Sequence, residues 1–306
     1  MAFTTLESLD VKNKRALVRV DFNVPLTDGK VGDDSRIQAA LPTIRYLLEK
    51  HATVILMSHL GRPKGPEDKS RLGPVAEHLS ELLGQEVRYQ PGDGPAGSGT
   101  ATFVQGATPG SVTLLENLRF DPRETKNDPE FSRVLAGYAD VYVNDAFGAA
   151  HRAHASTEGV AHLLPGAAGL LLERELAVLG KLLDNPDKPF KVILGGAKVS
   201  DKIGVIENLL DVVDEILIGG AMAYTFFKAK GGEVGRSLVE DDKLDLARDL
   251  LLQAQSKGVS VRLPQDSVCA AEIKKGVETS VHPSDAIPDG LMGLDAGPEA
   301  VKSYKE

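Results

Sequence analysis

The sequence predicts an α/β protein of two Rossmann-like, three-layer domains with mainly parallel sheets, joined by a helix. Three observations predict it. Short apolar runs of strand character alternate with amphipathic stretches of helical spacing, the pattern of a parallel sheet covered on both faces. The alternation breaks at Pro165-Gly166-Ala167-Ala168-Gly169, passes through one Leu-rich helix and then resumes. A length of 306 residues suits two domains.

The elements follow in order. Residues 16–20 (A-L-V-R-V) read as the first strand, and 35–50 as a helix in which Pro42 marks a kink or a break into two helices. Residues 53–58 (T-V-I-L-M-S) are the next strand. Gly73-Pro74 opens a helix over 75–83 that Gly84 ends. Residues 91–110, rich in Gly, Ala, Thr and Ser, read as surface loop with at most one short strand at 102–104. A strand at 112–115, a helix at 129–138 and a strand at 141–143 complete the first half. The helix at 170–183 ends near Asn185-Pro186. This places a first domain at 1–168, a connector at 169–185 and a second domain at 186–306. Strands at 191–194, 215–218 and 259–263 begin the second sheet.

Four apolar strands of the first half run into polar residues suited to an anion. They end in Asp21-Phe22-Asn23, His59-Leu60-Gly61-Arg62, Glu116-Asn117-Leu118-Arg119, and Asn144-Asp145 followed by His151-Arg152-Ala153-His154. In an open parallel sheet the carboxyl ends of the strands point one way, and ligands bind just beyond them. Asp21, Asn23, His59, Arg62, Arg119 and Arg152 can therefore surround one small volume. Three arginines among them point to a small, strongly anionic ligand. Each segment alone also reads as an ordinary capped or solvated turn. Arg36 follows Asp33-Asp34 and could simply pair with them. His151-Arg152-Ala153-His154 admits a metal site, a phosphate clamp or a polar turn.

The net charge of −9 argues against a general nucleic-acid or anionic-membrane face. The single cysteine, Cys269, allows no intramolecular disulfide and no Cys-based metal cage, and it reads as core packing. Residues 1–15 lack the apolar run of a signal peptide, and no stretch reaches the roughly 18 residues of a membrane span. The expected localisation is cytoplasmic. No Ser-His-Asp or Cys-His arrangement stands out, and no G-x-G-x-x-G follows a strand, which disfavours hydrolase and dinucleotide oxidoreductase readings.

In the second half, V-I-L-G-G-A-K-V-S-D-K at 192–202 brings a strand to a Gly pair and then to Lys198 and Lys202. Four apart on a helix, these lysines would share a face and meet adjacent phosphoryl groups. A tight turn with solvated lysines is the equal alternative. Ile218-Gly219-Gly220 repeats the layout without lysines, as close backbone packing or as a wall for a flat base.

These segments in this order resemble the phosphoglycerate kinase family: R-V-D-F-N-V-P at 19–25, M-S-H-L-G-R-P at 57–63, L-L-E-N-L-R-F at 114–120, V-Y-V-N-D-A-F-G-A-A-H-R-A-H at 141–154, G-G-A-K-V-S-D-K at 195–202 and M-G-L-D-A-G-P at 292–298. The resemblance implies two α/β domains joined by a helix and hinge, in a monomer. It implies phosphoryl transfer between 1,3-bisphosphoglycerate and ADP, or from ATP to 3-phosphoglycerate in reverse, with Mg²⁺ accompanying ADP or ATP. By motif, Asp21, Asn23, Arg36, His59, Arg62, Arg119 and Arg152 become acid-substrate residues. Lys198 and Lys202 face the nucleotide phosphates, and Gly219, Gly220 and Gly293 line the nucleoside pocket. Arg36 and Lys198 are the expected catalytic pair.

Two departures accompany the resemblance. The family carries a W-N-G-P-type segment and a later G-G-G-D segment whose Asp holds Mg²⁺; residues 1–306 contain neither and no Trp. Gly-Gly-Ala at 219–221 stands where Gly-Gly-Gly is common. The first departure implies no protein ligand for the metal in this chain, an incomplete second domain and an unpaired sheet edge. It also opens an alternative: a truncated, catalytically weak chain that binds phosphoglycerate only.

Overall fold

The computed structural model describes residues 3–92, 94–97 and 99–306. The chain divides into two compact units, one up to Gly180 and one from Lys181.

The first unit opens with β1 (Arg15–Arg19), a hairpin of β2 (Leu26–Thr27) and β3 (Lys30–Val31), α1 (Ser35–Glu49) and β4 (Thr53–Met57). It continues with α2 (Gly73–Leu83), β5 (Val87–Tyr89), α3 (Thr100–Gln105), β6 (Val112–Leu114), α4 (Pro129–Ala136), β7 (Val141–Asn144), α5 (Phe147–Ala150), β8 (Gly166–Ala168) and α6 (Leu170–Asp184). Six strands form one parallel sheet in the order β5-β6-β4-β1-β7-β8. Ala16, Val18, Val54 and Leu56 point to the face covered by Ile37, Ile44, Leu47, Val75 and Leu79 of α1 and α2. Leu17, Ile55 and Tyr142 point to the other face, under Val104, Phe131 and Leu135 of α3 and α4. Alternate side chains thus feed two cores, and all five residues of β4 are buried.

The structure corrects several expectations. Pro42 neither breaks nor ends α1, which is one helix from Ser35 to Glu49. Burial of Ile37, Leu41, Ile44 and Leu47 against the sheet outweighs the hydrogen bond that proline removes. The stretch expected as loop with a strand at 102–104 contains a helix instead; Asp93 and Ser98 within it lie outside the described residues, as do Met1 and Ala2. Distant arginines hold the carbonyls at the end of α3. Arg15 donates to Val104 O (2.7 Å) and Ala107 O (3.4 Å), and Arg88 donates to Phe103 O (3.2 Å). Such partners leave no trace in local composition. The edge strands β5 and β8 are three residues each, too short for a periodic signal.

Asp145, just beyond β7, fastens the start of α6. Its Oδ1 accepts from Leu171 N (2.9 Å) and Leu172 N (3.3 Å), while Thr43 Oγ1 accepts from Leu170 N (2.9 Å). Only glycine fits at 169, since an added Cβ would stand 2.3 Å from Asp145 Oδ1. Burial raises the Asp145 carboxyl to about 6, against the pull of the Thr43 hydroxyl and the two amides. Its unfolded value is about 4, so between these values the folded chain holds more protons and gains stability as pH falls. Between pH 7 and 4.5 this gain is about 2 kcal/mol. Urea unfolding of Asp145→Asn should lack that increment relative to the unsubstituted chain; equal pH responses would contradict the assignment.

The second unit contains β9 (Lys191–Gly195), α7 (Ile203–Leu209), β10 (Glu215–Gly219), α8 (Met222–Ala229), β11 (Glu233–Val234) and α9 (Leu244–Ser256). It ends with β12 (Ser260–Arg262), β13 (Asp266–Ala270), β14 (Ser280–Pro283), β15 (Ala286–Ile287), β16 (Met292–Ala296) and α10 (Pro298–Lys305). The parallel sheet is β12-β10-β9, with β9 at an edge and Ile193 71% exposed. The sheets are mainly parallel, as expected, and β11 and β15 form a further parallel pair; β14-β13-β16 add a separate antiparallel sheet. Cys269 is fully buried in the core of this unit, as expected.

Candidate active site

The strand ends that carry the sequence motifs belong to β6, β4, β1 and β7, the central strands of the sheet. Cross-links among their loops bring the motifs together. Ser58 Oγ, after β4, accepts from Phe22 N (2.9 Å), after β1. Asn23 Oδ1 accepts from Gly61 N (2.8 Å). Asn117, fully buried after β6, donates through Nδ2 to Leu60 O and Ser70 O, both at 2.8 Å. Its Oδ1 accepts from Leu60 N (3.2 Å) and Arg119 N (3.0 Å). Glu116 beside it is equally committed, to Arg71 (3.0 Å), Tyr89 Oη (2.6 Å), Leu72 N (3.2 Å) and Asn117 N (2.8 Å). Buried polar groups satisfied this fully fix a loop in one conformation.

The result is one cavity of about 250 Å³. Asp21, Asn23, Arg36, His59, Arg62, Arg119 and Arg152 all line it, with Gly61 and Gly148. Gly148 cannot carry a side chain there, because a Cβ would stand 2.8 Å from Asp21 Oδ2. Arg36 does not pair with its sequence neighbours. Asp33 Oδ1 accepts from Ser35 N (2.9 Å), and Asp34 Oδ2 meets His78 Nε2 (2.9 Å) and Gln38 Nε2 (3.1 Å). Arg36 is left for Asp21, at 2.7 Å across the cavity.

Four guanidinium groups and one carboxylate therefore line a small space in an acidic protein. The charges act on one another. His59 is pushed down to about 2, first by burial and then by Arg19, Arg119, Arg152 and Arg36, so it is neutral at physiological pH. Arg119 is lowered by burial, and then by Arg152, Arg62 and Arg19. Repulsion of this kind is relieved by an incoming anion.

Of His151-Arg152-Ala153-His154, only Arg152 lines the cavity. His154 Nδ1 instead lies 3.6 Å from the buried Glu124, and α5 ends before all four. Among the described residues, no group of three His, Cys, Asp or Glu side chains is placed to hold a metal ion. Arg19, Glu124 and Ser156 escaped the sequence reading, and Ser58, Glu116 and Asn117 entered it only as strand-end residues without a role of their own. Arg19, Ser58, Glu116 and Asn117 do carry a signal, a polar residue inside or directly after an apolar run, as in A-L-V-R-V and L-L-E-N-L, whereas Glu124 and Ser156 carry none.

The expected nucleotide residues lie in the second unit. Lys198 and Lys202 do not share a helical face, because α7 begins only at Ile203. Lys198 lies in the connection after β9, and Lys202 closes a single 3₁₀ turn. Glu240 sets this turn by accepting from Ser200 N (3.0 Å) and Oγ (2.6 Å). Gly220 has φ +69°, and a Cβ on it would stand 2.8 Å from Gly196 O, so the two Gly pairs pack backbone to backbone. Gly219 pairs with Gly195 and has no atom within 4 Å of an added Cβ. Gly293 lies in another sheet, where an added Cβ would overlap Tyr224 Oη at 2.0 Å.

A family model described as phosphoglycerate kinase matches residues 6–306. The phosphoglycerate kinase of Moorella thermoacetica is 58% identical over 307 residues, which cover 99% of this chain and 77% of that protein. That of Thermosipho africanus is 55% identical over 303 residues, 98% of this chain and 75% of that protein. Among solved structures, phosphoglycerate kinase from Coxiella burnetii superposes with a TM-score of 0.85 at 39% identity, covering 99% of this chain and 76% of that one. The Pyrococcus horikoshii enzyme gives 0.80 at 33% identity, covering 99% and 77%.

Proposed function

The chain belongs to the phosphoglycerate kinase family, and from that premise we propose roles for its residues in phosphoryl transfer between ATP and 3-phosphoglycerate. The chain is a nucleotide-dependent kinase of glycolysis. The observation carrying the proposal is that all seven acid-substrate residues line one cavity. Arg62, Arg119 and Arg152 hold the phosphate ester. Asp21 and Asn23 take the hydroxyl end, and His59 donates a neutral hydrogen bond. Arg36 turns from Asp21 to the phosphoryl group in transit.

In the ATP-consuming direction, a carboxylate oxygen of the substrate attacks the γ-phosphorus. The bond from that phosphorus to the bridging oxygen breaks, leaving ADP and an acyl phosphate. The attacking carboxylate is already ionised at neutral pH, so no general base is required. None is offered: Asp21 is bound to Arg36, and burial and the surrounding arginines leave the His59 imidazole a very weak base. Catalysis then rests on positioning, water exclusion and cationic stabilisation of the transferring oxygens.

Lys198 and Lys202 are proposed to meet the nucleotide phosphates, Lys198 at the transferring group. Gly219 and Gly220 leave room for the nucleoside, and Gly293 does so through its packing on Tyr224. Mg²⁺ would accompany the nucleotide and offset the charge of its phosphates beside Lys198 and Lys202. We further propose a monomeric, cytoplasmic protein without nucleic-acid or membrane partners. Its net charge of −9 argues against a general nucleic-acid or anionic-membrane face. The binding-only alternative is disfavoured, because the family match continues through the second unit.

Direct transfer requires substrates held by separate units to meet. With residues 169–185 as connector and hinges near Pro165-Gly166 and Asn185-Pro186, small-angle scattering should show compaction only with both ligands bound; an unchanged profile argues against closure. The overall proposal is tested by an assay coupling ADP release to added 3-phosphoglycerate and Mg-ATP. ADP release that does not depend on 3-phosphoglycerate would refute it.

A further inference from the structure

We infer that Arg19 is a positioning residue that holds His59 in a single neutral tautomer, with Nδ1 as acceptor and the proton on Nε2. Arg19 is only 1% exposed and does not line the cavity. Each nitrogen of its guanidinium has a partner within the protein. Nε donates to Ser156 Oγ (2.9 Å), Nη1 to Val20 O, and Nη2 meets His59 Nδ1 at 3.1 Å. Arginine has five N–H donors and no acceptor. A proton on Nδ1 would face another donor, so Nδ1 presents its lone pair and Nε2 carries the hydrogen.

The arrangement is held from behind. Buried Glu124 accepts from Ser156 N (3.0 Å) and Ser156 Oγ (2.6 Å), which orients the hydroxyl to receive Arg19 and balances its charge. Asp21 acts the other way, toward a proton on Nδ1: its Oδ1 stands 3.9 Å from that nitrogen, but its carboxylate is taken by Arg36 at 2.7 Å. Arg36 from α1, Arg119 after β6 and Arg152 after α5 each oppose a positive imidazole. Arg19 therefore makes His59 a directional donor to the acid substrate whose strength does not change with pH.

This rests on the cavity being the acid site, but its test can be read without ligand. In ¹⁵N-resolved NMR of the free chain, His59 should show an unprotonated Nδ1 and a protonated Nε2, unchanged from pH 8 to 5.5. An Nδ1–H tautomer, or titration of His59 in that range, overturns the inference and leaves the acid site standing. In Arg19→Met, Nδ1 loses the donor that faces it, so the Nδ1–H tautomer of His59 should become populated beside the Nε2–H one, while burial and the remaining arginines keep the ring neutral. Affinity for 3-phosphoglycerate should fall severalfold, because part of the His59 population no longer carries its proton on Nε2. A folded Arg19→Met chain that keeps the original tautomer alone would also overturn the inference. If that variant does not fold, the measurement on the unsubstituted chain still decides.

Discussion

Arg119→Ala should weaken 3-phosphoglycerate binding by about 2–5 kcal/mol, roughly 30-fold to several thousandfold, as expected when one partner of a desolvated charge contact is truncated. Arg119 Nη1 is anchored on Gly61 O at 3.0 Å, and its backbone N–H is held by Asn117. The guanidinium is therefore placed before any ligand arrives, and little ordering entropy is lost on binding. Arg152, Arg62 and Arg19 repel it in the empty cavity. Removing Arg119 relieves that repulsion in the free protein, which places the loss toward the lower end of the range. Calorimetry on the variant checks this, and normal affinity would remove Arg119 from the clamp.

Arg36→Ala should leave the substrate KM within a few-fold and lower kcat by about 10²–10³, the cost of losing one preorganised donor to a transition-state charge. The side chain is half exposed and rests on Asp21, so it is free to change partner when charge develops beside it. Lys198→Ala should act likewise from the nucleotide side. Steady-state kinetics with both substrates separates the roles: a raised KM with kcat intact would make Arg36 a ground-state ligand instead.

What could be read in advance followed from periodicity and from chain direction. The buried strands β1, β4, β6 and β7 announce themselves as short apolar runs, and parallel pairing sends their polar ends to one side of the sheet. That was sufficient to gather Asp21, Asn23, His59, Arg62, Arg119 and Arg152 in thought as they are gathered in space. Arg36 joined them only through the family resemblance. Its release from Asp33 and Asp34 depends on a helix start and on His78, 44 residues from Asp34. The frame behind the site was illegible for the same reason. Arg19 and Ser156 are 137 residues apart, and Glu116 and Arg71 are 45 apart. In the second unit the close backbone packing read at Gly219-Gly220 is found, against Gly196. The helix expected to carry both lysines was wrong, because Glu240 reshapes the turn from 40 residues away.

The central claim is that four strand ends build a site for a phosphorylated acid. Calorimetric titration of the nucleotide-free chain with 3-phosphoglycerate and, separately, with glycerate tests it most directly. The account predicts one saturable site per chain, with the phosphorylated ligand bound at least roughly 30-fold more tightly through charge-assisted contacts to the arginines. Equal affinity for the two acids, or no saturable binding of 3-phosphoglycerate, would contradict it.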